Sequence, residues 1–172
     1  MIIFNRFKNR LIAAILTRWP SLVDRVVRGI DPLKFDSTPW APVVKPLAQM
    51  TVALVTTAGV HLKTDAPFDM GSKSGDGSLR VIGAGVTQGD LVITHDYYDH
   101  TDADRDVNIV LPLDRLRELV ASGVVGAVAK RHYGFMGHIE NEQVEKLIRQ
   151  SAPQVAHMLK EDGVDAVLVA PG

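Results

Sequence analysis

Four short, mostly apolar runs, Val52–Thr56, Leu91–Thr94, Val124–Ala129 and Asp165–Ala170, lack the polar/apolar alternation of a strand with one face in water. Strands of that kind are covered on both faces, and helices are what cover them. Helical spacing duly appears between them: Leu113, Leu116, Leu119 and Val120 recur after Pro112, with Asp114 near the positive helix end and Gly123 placed to cap the other. A second pattern, Val144, Leu147, Ile148, Val155 and Leu159, runs from Glu140 to Asp162, is interrupted or restarted at Pro153, and ends at Gly163. Strands alternating with helices predict an α/β fold, a three-layer domain with a mainly parallel sheet.

Ser78–Ile82 adds a further candidate strand. The GAGVTQG that follows imitates a nucleotide-binding glycine loop, but another strand-like run comes after it instead of the helix whose N-terminus would face phosphates. A glycine turn between extended segments is the better account. With 172 residues and 46% apolar content, the chain can bury one good core.

The start reads differently. Phe4, Phe7, Leu11 and Ile15 lie at helical spacing among Arg6, Lys8 and Arg10, predicting an amphipathic helix that packs on the domain or on a partner. Its apolar core, Leu11–Leu16, is too short for a targeting segment, and no run approaches the roughly 18 apolar residues of a membrane span. Pro20 opens a second helix through Arg28, and prolines 32, 39, 42 and 46 then impose an extended linker. Residues 1–45 are therefore expected to form a helical arm with a Pro-rich linker, and 46–172 the α/β domain, incomplete at its C-terminus.

The chemistry concentrates in ITHDYYDHTDADRD, Ile93–Asp106, where two histidines and five aspartates crowd into a dozen residues. Like charges so close raise one another's pKa, so the cluster must meet water, cations or a substrate that shares its protons. His95, Asp99 and His100 are the leading candidates as proton donors, acceptors or ammonium binders. Asp102, Asp104 and Asp106 read better as backbone caps and partners of Arg105. HDYYDH approaches the two-metal H-x-H-x-D-H signature of hydrolases, but Tyr97 stands where that signature needs histidine. A nitrogen and oxygen metal site using His95, Asp99, His100, His132 or His138 remains allowed, although no metal is assigned. Two other loops at strand ends supply candidate substrate-binding residues: Thr57 and His61 after the first strand, and Arg131, His132 and His138 in the KRHYGFMGH segment, whose two cations suit a carboxylate.

Four stretches taken together resemble the selenoprotein B components of the glycine, sarcosine, betaine and D-proline reductases: LVTTAGVHLKTDAPFDM (Leu54–Met70), THDYYDHTDADRDVNIVLPLDRLRELVASGVVGAV (Thr94–Val128), RHYGFMGHI (Arg131–Ile139) and LKEDGVDAVLVAPG (Leu159–Gly172). The resemblance implies reductive cleavage of a carbon–nitrogen bond in a small amino acid or its N-methylated relative. A pyruvoyl group on a partner subunit would bind an amine substrate, and a selenolate or thiolate would displace the amine from the α-carbon. Further thiol chemistry on a carrier subunit would complete the reduction. Oxygen nucleophiles are poorly suited to that displacement.

This sequence contains no cysteine. The expectation is that the reading frame continues through a UGA selenocysteine codon, with the selenocysteine or cysteine lying beyond Gly172, and that these residues alone are inactive. No other cofactor is expected in the chain. A formal net charge of −1, from 19 basic and 20 acidic residues, gives no global pull toward nucleic acid or anionic membrane. A cytoplasmic location and a homo- or hetero-oligomer are expected, since an unfinished sheet exposes an edge and an apolar face. Two alternatives stand beside the reductase: a metal-dependent hydrolase built on HDYYDH, and a non-catalytic binding or regulatory subunit.

Overall fold

The computed structural model describes residues 2–22, 37 and 41–172. Of the second N-terminal helix expected through Arg28, only Pro20–Leu22 is described, as a 3-10 turn; the remainder lies outside the described residues, as does most of the Pro-rich linker. Helix α1, Ile2–Arg18, precedes that turn. It meets the body through Ala13, which is buried, and through Asn9, whose side chain hydrogen-bonds Tyr97, while Leu11 and Ile15 stay exposed. Two residues of the expected stripe, Leu11 and Ile15, therefore do not make this contact, while the side chains of Phe4 and Phe7 lie outside the described ones.

The fold is mixed α/β, with a curled, mostly parallel sheet. Its centre is β1, Thr51–Thr56. One edge of β1 pairs in parallel with two segments in line, β5 (Ala127–Val128) and β6 (Arg131–Gly134). The other edge pairs in parallel with β7 (Ala166–Ala170), from Val52 opposite Ala166 to Thr56 opposite Ala170. β3 (Arg80–Gly83) runs antiparallel to β6, and β2 (Val60–Leu62) with β4 (Leu91–Ile93) forms a separate antiparallel pair. The carboxylate of Asp165 fixes the start of this arrangement by accepting from the Thr51 N–H at 3.0 Å and from Lys45 Nζ at 2.6 Å.

Successive side chains of β1 enter opposite faces. Val52 and Leu54 join Leu111, Leu113, Leu116 and Val125, around helix α3 (Leu113–Ala121), which follows the short α2 (Thr101–Arg105). Val55 joins Tyr133, Phe135 and Val155 under the last helix. That helix starts as α4 (Glu142–Lys146), passes through a π-helical turn at Leu147–Ser151, and continues as α5 (Ala152–Glu161). The expected interruption at Pro153 is therefore a widened turn and not a break: proline cannot serve the carbonyl four residues back, and the π turn absorbs that misfit. The added backbone shifts the helical phase, which leaves Ile148 exposed although the sequence pattern placed it inward.

Three further expectations are corrected. Residues 131–134, read as part of a loop, form β6, because pairing with β1 on one edge and β3 on the other overrides the glycines. His61, read as a turn residue, sits in β2 and is buried. The strand expected over Val124–Ala129 shrinks to Ala127–Val128, with Val124 exposed at the end of α3.

His132 links fold to pH. Its Nδ1, fully buried on β6, accepts the Leu54 N–H at 3.0 Å, and burial together with the nearby Arg117 charge pushes its pKa down to about 4. An unfolded histidine titrates near 6.5, so the unfolded chain binds more protons between about 4 and 6.5. The stabilisation from neutral His132 is therefore complete above pH 6.5 and lost as pH falls toward 4, a change on the order of 2–3 kcal/mol. Urea midpoints should drop between pH 7.5 and 5, and His132→Asn, whose Oδ1 can replace Nδ1 as acceptor, should flatten part of that drop. Gly59 gives a second check: its φ of +73° and the 2.5 Å from a Cβ there to the Thr94 carbonyl oxygen leave no room for alanine. Gly59→Ala should cost roughly 1–3 kcal/mol in denaturant titration.

Candidate functional site

The carboxyl ends of β1, β4, β6 and β7 converge. The Phe135 N–H donates to the Thr56 carbonyl at 2.8 Å, the Gly59 N–H to Phe135 at 2.9 Å, and the Thr94 N–H to Gly59 at 2.9 Å. The Thr57 N–H donates to Ala170 at 3.2 Å, and the Gly172 N–H to Thr57 Oγ1 at 3.3 Å. Gly172 packs on Ala58 so closely that a Cβ at that position would overlap it. Chain segments distant in sequence are thereby stitched into one crevice wall, mostly by backbone groups and at one point by the Thr57 hydroxyl.

His95 lies at the centre of this wall, 5% exposed. Its Nδ1 accepts the Tyr97 N–H at 3.1 Å, so a neutral ring carries its proton on Nε2. A Cβ on Gly137 would stand 3.2 Å from that Nε2 and 2.9 Å from the Thr57 carbonyl oxygen, so glycine is what lets the three loops close here. Burial, then the His100 and His138 charges, push the His95 pKa down to about 4, against an opposing pull from Asp96. His95 is therefore a neutral hydrogen-bonding group at pH 7.

Two tyrosines frame it. Tyr98 sets its ring edge-on to His95 at 4.9 Å and donates its hydroxyl to the Ala58 carbonyl at 3.0 Å; burial raises its pKa. Tyr97 meets His138 edge-on at 4.3 Å. The nearby charged residues line a cavity of about 280 Å³ bounded by Ala14 of α1, Tyr98, Asp99, His100, Thr101 and Asp104. His100 Nδ1 is 2.7 Å from Asp104 Oδ2, and Asp99 accepts from the N–H and hydroxyl of Thr101, which lowers its pKa.

The structure thus brings together His95, Asp99, His100, Thr57 and His138, the last with Nδ1 buried and unpartnered and Nε2 at 3.5 Å from Glu140. It places the others elsewhere. His61 is held between the Leu62 carbonyl at 2.7 Å and Thr94 Oγ1 at 2.8 Å, behind the wall. Arg131 turns to the C-terminal end of α5, where Asp162 at 2.7 Å and Glu161 at 3.1 Å raise its pKa. His132 serves the core. Asp102 pairs with Arg105, and Asp106 accepts from Asn108 and caps the following 3-10 turn. Among the described residues, no three His, Asp or Glu side chains are gathered so that they could hold a metal. Tyr98 and Gly137 join the site although neither is among the residues expected from the sequence; an amphipathic ring inside an acidic cluster is the available sign for the first, and nothing local marks the second.

Chemically, the wall offers a neutral imidazole in a dry niche and carboxylates at a wetter mouth, an arrangement suited to a small zwitterion. No helix among the described residues is long and apolar enough to cross a membrane.

A family model described as Glycine/sarcosine/betaine reductase selenoprotein B matches residues 30–171. Over 133 residues the chain is 42% identical to the D-proline reductase subunit gamma of Acetoanaerobium sticklandii, covering 77% of this chain and 53% of that subunit. It is 32% identical over 137 residues to the glycine reductase complex component B subunit gamma of Carboxydothermus hydrogenoformans, and 32% over 139 residues to the betaine reductase complex component B subunit beta of Peptoclostridium acidaminophilum. Those matches cover 78% and 79% of this chain and 31% of each relative. The chain thus spans about half the length of the first relative and under a third of the other two. No solved structure matches it.

The depressed basicity of His95 is directly measurable. Its ring signals in proton–nitrogen NMR should show the Nε2–H form from pH 8 down to about 5 and titrate near 4; a midpoint above 6 would contradict the burial argument.

Proposed function

The chain belongs to the glycine/sarcosine/betaine reductase selenoprotein B family, and we propose that it forms part of a B-type reductase component that cleaves a carbon–nitrogen bond in a small amino acid or its N-methylated relative. The observation that carries the proposal is the match over residues 30–171, which contains the crevice loops that follow β1, β4 and β6. Because the chain covers 53% and 31% of its relatives, the activity belongs to a larger assembly than these residues.

A selenolate or thiolate supplies the soft nucleophile in such a reaction, and with no cysteine in the sequence it must come from outside these 172 residues. Carbonyl chemistry on the amine is assigned to a pyruvoyl group on a partner subunit, and reducing equivalents to a thiol or selenol carrier.

This chain's own residues bind and orient. The Nε2–H of neutral His95 donates to the substrate, with Thr57 and His138 completing the niche. Asp99 and Asp104 at the mouth favour an ammonium group by simple charge attraction. His100, oriented by Asp104 at 2.7 Å, exchanges a proton with the departing nitrogen. His61, His132 and Arg131 support the wall from behind through Thr94, Leu54 and Asp162. The hydrophobic clusters on the two faces of β1 support a three-layer domain beginning near Lys45, with α1 as an arm. Work alongside carrier subunits fits a cytoplasmic setting and a hetero-oligomer.

The test is a reductase assay with pyruvoyl partner and dithiol, comparing this chain with a polypeptide that supplies the rest of its relatives' length. The longer form should be active and the shorter inactive; equal inactivity of both would sink the reading. In the active form, alanine at His95 or His100 should lower turnover roughly 100-fold or more. Unchanged kinetics in both variants would remove them from the site.

A further inference from the structure

β7 is apolar on both sides and about half-exposed on both. Val167 is 40% exposed, Leu168 51% and Val169 60%, and these neighbours alternate between the two faces of the sheet. Its inner edge is paired with β1 through Val52–Thr56; among the described residues nothing pairs the outer one. The strand reads AVLVA, without the lysine, proline or bulge by which exposed edges are normally protected. Parallel strands with this composition occur where both faces are covered.

The exposed surface continues inward. Val169 is the direct neighbour of Val55 across the β1–β7 ladder. Val55 lines an apolar cavity of about 330 Å³ with Phe135, Leu147, Val155 and Leu159, between the sheet and α5. Edge, face and cavity therefore form one continuous apolar site at the sheet's open side. At the other side of the sheet the terminal strand is β3, only four residues long and carrying Arg80.

We infer that β7 and the adjoining cavity dock the part of a B-type reductase polypeptide that this chain does not contain, through a strand on the outer edge and apolar side chains over Val167 and Val169. The relatives supply the reason for this occupant. The matched region is 53% of the D-proline reductase subunit and 31% of the glycine and betaine subunits, so the family carries further chain that this sheet can seat. The inference rests on the family reading but concerns assembly, not turnover.

The experiment co-expresses this chain with the portion of the A. sticklandii D-proline reductase subunit gamma outside its 133 matched residues, and in parallel joins the two as one polypeptide. A one-to-one complex should form, and the outward amides of Ala166–Ala170 should exchange with deuterium at least tenfold more slowly than in the chain alone. In the joined form the same protection should appear. Val169→Glu and Leu168→Glu should weaken the complex at least tenfold while the chain keeps its circular dichroism, whereas Val169→Thr should bind within a few-fold of the parent. Absence of a complex, unchanged exchange in the joined form, or insensitivity to both glutamates overturns the inference. So does a dimer of this chain alone that protects β7, which would make a second copy the occupant. Binding is read without catalysis, so a stable complex lacking reductase activity would count against the reductase reading and leave the docking standing; an active enzyme with β7 still exposed would do the reverse.

Discussion

The backbone ladder of β1 is the constraint on which the rest of the molecule depends. Both edges are used over a six-residue strand: β5 and β6 share one and β7 takes the other. Three carboxyl ends are thereby fixed side by side, and Gly137 comes against Thr57 and Gly172 against Ala58 although the members of each pair are far apart in sequence. Parallel pairing delivers loop ends to the same side of a sheet, and that geometry makes a crevice there almost unavoidable.

Desolvation then sorts the polar residues of the crevice. Histidines of identical intrinsic chemistry differ because their surroundings do. His95 and His132 are buried and both are pushed to about 4, whereas His100 sits beside a cavity with a carboxylate at 2.7 Å. The same HDYYDH segment thus provides a group that stays neutral and a group in electrostatic contact with acid.

Much of this was legible in the residues. The apolar runs around Leu54 and Leu168 announced parallel strands, Pro112 announced α3, and the cluster after Ile93 announced a polar wall. What could not be read was set by tertiary pairing. Nothing local distinguishes Arg131–Gly134 from a loop until β1 and β3 claim its two edges. The fate of each histidine was equally hidden, since the acceptor role of His132 depends on Leu54, 78 positions away. The niche at His95 requires the bare Cα of Gly137, and a glycine in sequence looks the same whether it makes a turn or makes room.

The π-helical turn at Leu147–Ser151 reaches beyond its role in accommodating Pro153. Leu147 belongs to that turn, and Ala152, Val155, Ala156 and Leu159 follow it, so the wall of the apolar cavity straddles the widened segment. A π turn interrupts the i to i+4 register of the α-helix on either side, and Ser151 at its end donates to the Gly77 carbonyl at 2.6 Å. The cavity therefore has the sheet on one side and, on the other, a helix whose register changes along the lining, so that Leu147 and Leu159 present themselves to the same space across a shifted phase.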